Sequence, residues 1–278
     1  MNEDKVLGKK VGYCSKYNPD LLVFVPRKEK RDEIGITSLP FIGFDLWNQY
    51  EISYLDYNGK PVVRIATLIY NANTDNIVES KSLKLYFNSF NMTHIKSDDE
   101  LKKIIEDDLK KGLNDPYLQI VIYNINEKFL FSNEPKYRNI DNYDINTNIY
   151  QVDNNLLKKI EGNNEQMLCS DLLKSNCLVT KQPDWGSVYI SIIPNGYMID
   201  EISLLKYIIS FRQHNEFHEQ CIERIFNDLN NLLNPKYLSV FGKYVRRGGI
   251  DINPYREKYD TGVYNKMKNS IFYRGSRQ

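Results

Sequence analysis

The chain has 278 residues and is poor in most of the side chains that build metal sites and covalent scaffolds. It holds three histidines (His94, His214, His218) and four cysteines (Cys14, Cys169, Cys177, Cys221), with no CxxC pair. That spacing argues against a zinc ribbon or a disulfide framework. His214 and His218 stand four apart, but HNEFH is not HExxH, because the glutamate does not follow the first histidine directly. The pair reads as a polar cluster at a helix start, and no metal is expected. An excess of one charge is also missing: 37 basic against 36 acidic residues leave a net charge of +1. No broad electrostatic footprint for nucleic acid or an anionic membrane follows from such a balance. No apolar run approaches the roughly 18 residues of a membrane helix, and MNEDKVLGKKVGY at the start is too polar for the core of a secretory signal. A cytoplasmic, reduced protein is expected. The dinucleotide fingerprint GxGxxG is absent too, so no Rossmann unit is expected.

What is abundant is aromatic: 21 Tyr and 12 Phe, which in a globular chain mostly fill cores and sheet faces. The length suits one large domain or two small ones, and the order of elements favours two. Segments 49–57 (QYEISYLDY) and 62–70 (VVRIATLIY) flank Asn58-Gly59, a strong hairpin signal. Helical spacing follows at 79–91 and at 98–113, the latter opening with acidic capping candidates and closing on Lys110, Lys111 and Gly112. Residues 117–125 read as a strand, and 128–131 (KFLF) as its partner. The second half repeats this order. Residues 187–193 and those around Tyr197 and Ile199 flank Pro194-Asn195-Gly196, helical spacing returns at 203–212 and 217–233, and 237–245 is strand-like. SLKLYFNSFN at 82–91 matches SLLKYIISFR at 203–212 at Ser, Leu, Tyr, Ser and Phe, and Asp108-Leu109 matches Asp228-Leu229. The expectation is α+β: two strand–strand–helix–helix–strand modules, 1–150 and 151–278, each with helices on one face of an antiparallel sheet. Residues 132–165 would form a long surface connection, and residues 1–45 an extended wrap.

The polar residues are not duplicated. Glu79-Ser80-Lys81-Ser82 stands against Asp200-Glu201-Ile202-Ser203, and His218-Glu219-Gln220 against Asp98-Asp99-Glu100. A site drawing on both modules is the working picture. The densest chemistry lies at 175–187, SNCLVTKQPDWGS. Cys169 and Cys221 read as small buried hydrophobes, whereas Cys177 precedes the strands of the second copy in polar surroundings that can stabilise a thiolate. Asp184 is either a turn residue or a proton donor and acceptor beside that thiol.

Taken together, LLKSNCLVTKQPDWGS, SFRQHNEFHEQCIERIFNDL, VESKSLKLYFNSFN and YVRRGGIDINPYR resemble the two-module form of the NADPH-dependent 7-cyano-7-deazaguanine reductases (QueF type). The likeness runs from LGKKVGYCSKYNPDLLVFVPR to RRGGIDINP. It implies two tandem tunnelling-fold (T-fold) modules, a homodimer, and four-electron reduction of a nitrile to a primary amine in queuosine biosynthesis for tRNA modification. By the same resemblance Cys177 is the nucleophile of a thioimide intermediate and Asp184 the proton donor. Val78, Glu79, Ser80, His218 and Glu219 would hold the 7-cyano-7-deazaguanine substrate, and Ser80, Lys81, Arg247 and Gly248 would hold NADPH. A carboxylate suits the two neighbouring N–H donors of a guanine-like edge, and cations suit a 2′-phosphate. Against these stand plainer readings: Glu79 and His218-Glu219 as helix-start residues, and Arg246-Arg247 as a solvated face. Two other functions fit a reactive cysteine on such a scaffold, a nitrile hydrolase that admits water to the thioimide and a silent purine- or pterin-binding module.

Overall fold

The computed structural model describes residues 14–125, 137–262 and 278. The expected strand at 128–131, the first residues of the N-terminal motif and most of the C-terminal tail lie outside them. The chain forms two compact units, whose described parts are 14–33, 45–125 and 246–252 in unit 1, and 34–44, 137–245, 253–262 and 278 in unit 2. Both are discontinuous in sequence.

Among the described residues unit 1 has a 3₁₀ turn at Pro19–Leu21, then β1 (Phe24–Pro26) and α1 (Arg27–Glu33), so the described part of 1–45 is not simply an extended wrap. Then come β2 (Ile42–Leu55, in this unit from Asp45) and β3 (Pro61–Asn71). Between them lies the hairpin turn expected at Asn58-Gly59, closed by Asp56 N–H to Lys60 O at 2.9 Å, with Gly59 at φ 79°. The short β4 (Asn76–Val78) pairs with β1, not with the hairpin. Two helices follow, α2 (Ser80–Asn88) and α3 (Asp98–Leu113), and then β5 (Gln119–Asn124), which returns antiparallel to β3 with Ile69 opposite Gln119. The helices form because their apolar positions recur on one stripe. Leu83, Tyr86 and Phe87 of α2, and Leu101, Ile105 and Leu109 of α3, share a core with Trp47, Leu68 and Tyr70 of the strands. The caps differ from expectation. Ser97, not an aspartate, caps α3 by accepting from Glu100 N–H, and Gly112 sits inside the helix while Asn114 ends it at φ 51°. Asparagine tolerates the left-handed conformation that such an end needs.

Unit 2 contains β6 (Arg138–Asn139), β7 (Lys159–Glu161), β8 (Gln166–Ser170), β9 (Lys174–Asn176) and β10 (Pro183–Ile193). These are followed by β11 (Tyr197–Ile199), α4 (Glu201–Ser210), α5 (His218–Leu233), β12 (Tyr237–Tyr244) and β13 (Ile250–Glu257, in this unit from Asn253). β10 pairs antiparallel with β12, β8 and β9, and β6 joins β8 in parallel. Two expectations are corrected. The Pro194-Asn195-Gly196 turn does not fold β11 back on β10: β11 pairs with β7. The connection expected at 132–165 is accordingly more than a surface one, since its described part, from residue 137, supplies β7 and buries Ile140 and Leu157.

Single hydrogen bonds recur in the two units. Tyr86 donates to Asp108 in unit 1 and Tyr207 to Asp228 in unit 2. Ser82 and Ser203 each return a hydroxyl to the cap carbonyl, of Glu79 and of Asp200, at 2.7 Å. Both second helices have 16 residues and end on a left-handed Asn, Asn114 and Asn234. The equivalence differs by one strand from the sequence alignment. Leu55 bonds Thr93 O and accepts from Ile95 N–H, as Asn176 bonds His214 O and accepts from Glu216 N–H. The counterpart of the β2–β3 hairpin is therefore β9–β10, and the residue after the bridge, Asp56 in unit 1, is Cys177 in unit 2. Among the described residues no helix is long and apolar enough to cross a membrane.

Candidate active site

Cys177 lies in the turn of the β9–β10 hairpin rather than ahead of it. Its N–H bonds Gln182 O at 2.9 Å and its carbonyl accepts from Lys181 N–H at 3.1 Å. Lys181 takes φ 58° to close the turn, the one described non-Gly residue at positive φ other than the two helix-ending asparagines. That conformation costs an L-residue with a full side chain about 1–2 kcal/mol. The thiol itself is half-buried.

Asp184 is not in the loop. It belongs to β10, opposite Ser175, and is buried at 6% exposure. Alternation along a strand turns Asp184, Gly186 and Val188 to the inner side, and all three are buried. α5 brings His218, its first residue, to this carboxylate, with Nε2 3.7 Å from Asp184 Oδ2. The imidazole meets the Tyr244 ring edge-on at a centroid distance of 4.1 Å. Glu219, in the first turn of α5, is buried. At this helix start a carboxylate gains from the unpaired N–H groups and the positive end of the dipole; the cap position itself is Phe217, which offers no side-chain acceptor.

The thiols of unit 2 differ sharply. Cys221 is fully buried, with Ser175 and Tyr244 beside it, and burial pushes its thiol well above the ordinary value. It stays protonated and inert. Cys169, expected to be buried, is half-exposed on β8. Burial, together with the hydrogen bond to Cys221 and the Asp184 charge, also drives the Tyr244 phenol well up, so it remains neutral. Tyr244 escaped the sequence reading: it looks like an ordinary sheet residue, and only the register, with Gly186 opposite it, places it by Asp184 and Cys221. Ser175, polar beside Cys177 in the sequence, is placed opposite Asp184.

In unit 1 the expected binding residues run continuously from β4 into α2. Val78 is buried in β4. Glu79 is the N-cap, its Oε1 accepting from Lys81 N–H at 3.0 Å and its Oε2 from Ser82 N–H at 2.7 Å. The helix-start reading of Glu79 is thus met, and each oxygen keeps a further lone pair. Ser80 is half-exposed and Lys81 exposed. Arg246, Arg247 and Gly248 are exposed in a tight turn, closed by Arg247 N–H to Ile250 O at 2.9 Å with Gly248 at φ 60° and Gly249 at φ 83°. Two consecutive positive φ values explain the glycine pair. Arg246 stacks over Tyr50 at 4.6 Å. Lys84 of α2 reaches this turn. A Cβ built on Gly248 would stand 3.4 Å from Lys84 Nζ, which also pairs with Glu51 at 3.4 Å. Lys84 lies on the same helix as Ser80 and Lys81 and adds a cation to the group that the sequence reading assembled without it.

Comparison with known proteins gives the family. A family described as "Nitrile reductase, 7-cyano-7-deazaguanine-reductase N-term" matches residues 13–119, and a second, "QueF-like protein", matches residues 183–262. NADPH-dependent 7-cyano-7-deazaguanine reductases from Ralstonia nicotianae and Cupriavidus metallidurans are 45% and 46% identical to this chain, each alignment covering 96% of this chain and 98% of the relative. The protein of the same description from Hydrogenovibrio crunogenus is 44% identical, with 93% of each chain covered. Among solved structures, the apo form of the archaeosine synthase QueF-Like aligns at 21% identity over 36% of this chain and 91% of that one, with a TM-score of 0.29. Matched along nearly its whole length, the chain belongs to the family of NADPH-dependent 7-cyano-7-deazaguanine reductases.

Proposed function

We propose that this chain reduces the nitrile of 7-cyano-7-deazaguanine to the aminomethyl group through a covalent thioimide on Cys177, the step that serves queuosine biosynthesis. It is an NADPH-dependent oxidoreductase. The observation that carries the covalent reading is the contrast between the thiols: Cys177 in a polar hairpin turn with buried Asp184 further along the same hairpin, Cys221 held protonated.

A nitrile carbon is a weak electrophile, and thiolate addition splits one difficult reduction into easier steps. The Cys177 sulfur bonds to the nitrile carbon, and the thiol proton passes by way of Asp184 to the nitrile nitrogen. His218, against Asp184 and Tyr244, orients the carboxylate and bears on the same proton. After hydride reaches the thioimide carbon, the C–S bond breaks, the thiolate leaves, and an imine remains for a second reduction to the amine. Val78, Glu79, Ser80, His218 and Glu219 hold the base, Glu79 and Glu219 as acceptors for its N–H groups.

The donor set of unit 1 fits NADPH. Lys84 reaches the glycine turn that Arg246 and Arg247 open, Lys81 stands three residues before Lys84 on α2, and this group of cations suits a 2′-phosphate. Ser80, Lys81, Arg247 and Gly248 are the holding residues of this reading. NADPH, when bound, supplies one hydride for each of the two reductions. The finer architectural reading is two tandem T-fold modules, 1–150 and 151–278, working as a cytoplasmic homodimer that does not bind nucleic acid directly.

Incubation with the nitrile substrate tests the function. Two NADPH consumed per amine formed, with a substrate-mass adduct on Cys177 when cofactor is withheld, supports it. Ammonia release without NADPH consumption would mean hydrolysis, and binding without turnover a silent scaffold.

A further inference from the structure

Glu216 precedes α5 and is buried, with a side-chain exposure of 3%. Its Oε1 accepts from Arg224 Nε at 2.9 Å and from a second guanidinium nitrogen, and His214 Nε2 lies 2.9 Å from the same oxygen. Burial pushes this carboxyl up, but His214 and Arg224 outweigh it and hold it below the usual range. The backbone of this segment makes the bridge described above: Asn176 N–H to His214 O at 2.8 Å and Glu216 N–H to Asn176 O at 3.2 Å. Asn176 is followed by Cys177, and Glu216 stands two residues before His218.

Unit 1 builds the same bridge without ions. The counterpart of Glu216 is Ile95, buried in the core, and that of Arg224, by position along the equal-length second helices, is Ile104, packed against that core. Hydrophobes therefore satisfy the fold at both positions. A buried ion pair is no more stabilising than a well-packed apolar pair, because both charges must be desolvated. What it adds is direction, since a guanidinium on one carboxylate oxygen fixes an angle that two isoleucines do not.

We infer that Glu216 is a positioning residue for the thiol: clamped by Arg224 and His214, it fixes the bridge to Asn176 and so sets the Cys177 turn against the start of α5, where His218 and Glu219 stand. The inference rests on Cys177 being the nucleophile of the proposed reaction.

The test installs the residues of the other copy, Glu216→Ile with Arg224→Ile, beside the near-isosteric Glu216→Gln and the charge-keeping Glu216→Asp. Four quantities are read: the thermal midpoint, the rate of the substrate-mass adduct, the rate of Cys177 alkylation by iodoacetamide, and KM for NADPH. A misplaced reacting group costs up to about 10²-fold, so the double variant should keep its midpoint and its KM while adduct formation falls by about 10- to 100-fold. Glu216→Gln should fall in the same direction, and Glu216→Asp should recover part of the loss. Adduct formation within twofold of wild type in the double variant or in Glu216→Gln overturns the inference. Should the double variant fail to fold, Glu216→Gln decides by the same criterion. A wild-type chain that forms no adduct refutes the proposed function instead, and the alkylation rate then decides on positioning: unchanged in Glu216→Gln, it overturns the inference; altered, it sustains it.

Discussion

Tyr207 donates its hydroxyl hydrogen to Oδ2 of Asp228 at 2.6 Å, tying the two helices of its unit together, and Tyr86 does the same to Asp108 at 2.8 Å in the other. The surroundings of the two carboxylates differ. Asp108 also accepts from Tyr17 at 2.6 Å and from Lys111 at 3.3 Å, while among the described residues Asp228 accepts, beside its tyrosine, a long hydrogen bond from Asn154 at 3.5 Å. Removing a hydrogen bond to a charged group costs about 1.5–3 kcal/mol, more when the acceptor is left stranded. Tyr207→Phe should therefore lower the unfolding free energy by about that amount, and Tyr86→Phe by less. Urea denaturation of both variants checks the order, and a larger loss for Tyr86→Phe would contradict it.

The duplication was legible where side chains must repeat to make this pair: Tyr86 aligns with Tyr207 and Asp108 with Asp228 in the bare sequence. The strand equivalence was not legible. β9 has three residues, too short for a period of two to register, so the longer 187–193 run drew the alignment one strand along. Asp184 reads from sequence as either a turn residue or a proton donor and acceptor, and the first alternative arises because Pro183 at the head of β10 masks a strand that begins there. Among the candidate site residues, those in contiguous motifs (Val78 to Lys81, His218-Glu219, Arg247-Gly248) are the ones that the family resemblance singles out. Lys84, Tyr244 and Glu216 are not among them, because their roles depend on contacts across the fold that no local pattern encodes.

Cys177 and Cys221 make opposite predictions under one reagent. Iodoacetamide should modify Cys177 in the native protein and leave Cys221 intact until unfolding, because burial holds the latter thiol protonated and shielded. The substrate adduct should vanish in Cys177→Ala and survive in Cys169→Ala. Asp184→Asn, which keeps size but cannot take the proton, should slow adduct formation by roughly 10²–10⁴-fold. Peptide mapping and stopped-flow mass analysis read both, and an adduct on Cys169 or Cys221 would reassign the nucleophile.

Glu79 has two jobs in this reading, and one substitution separates them. Glu79→Gln keeps an oxygen for the α2 N-cap, whereas Glu79→Ala removes it and should cost about 1 kcal/mol of stability. Both should weaken substrate binding, as should Glu219→Gln, since replacing a charge-assisted acceptor costs roughly 1.5–3 kcal/mol. Calorimetric titration with substrate, set beside thermal midpoints, distinguishes a binding role from capping alone. Undiminished affinity in Glu79→Gln would leave Glu79 as a cap and nothing more.

Lys84 extends the cofactor prediction beyond the glycine turn. Arg247→Ala and Lys84→Ala should each raise KM for NADPH and narrow its preference over NADH, with kcat little changed, because a remote phosphate contact is largely uniform binding. Lys84→Ala also frees Glu51 from its ion pair, so adding Glu51→Gln should soften the Lys84→Ala defect by removing an unbalanced negative charge. Adduct formation on Cys177 precedes hydride transfer and should persist in all three variants. Steady-state kinetics with both cofactors would remove Arg247 or Lys84 from the site if selectivity did not change.

Acid stability should report the Glu216 clamp through the sign of its linkage. A carboxyl held below its ordinary value of 4.5 contributes stability that is complete above that pH and is lost as the pH falls through the lower folded value. Asp228 works in the other direction. Burial holds it above its ordinary 3.8, so its contribution is complete below 3.8 and is lost as the pH rises through the folded value. On acidification the folded state therefore takes up a proton favourably at Asp228 and unfavourably at Glu216. Glu216→Gln should flatten the acid limb of the urea midpoint below pH 4.5, and Asp228→Asn should steepen it above pH 3.8 by removing the offset. The flattening should be absent at pH 7, where Glu216 is ionised in both states and its substitution changes stability by a constant amount. An acid limb in Glu216→Gln that runs parallel to wild type would mean that the clamp carries no charge-dependent stability.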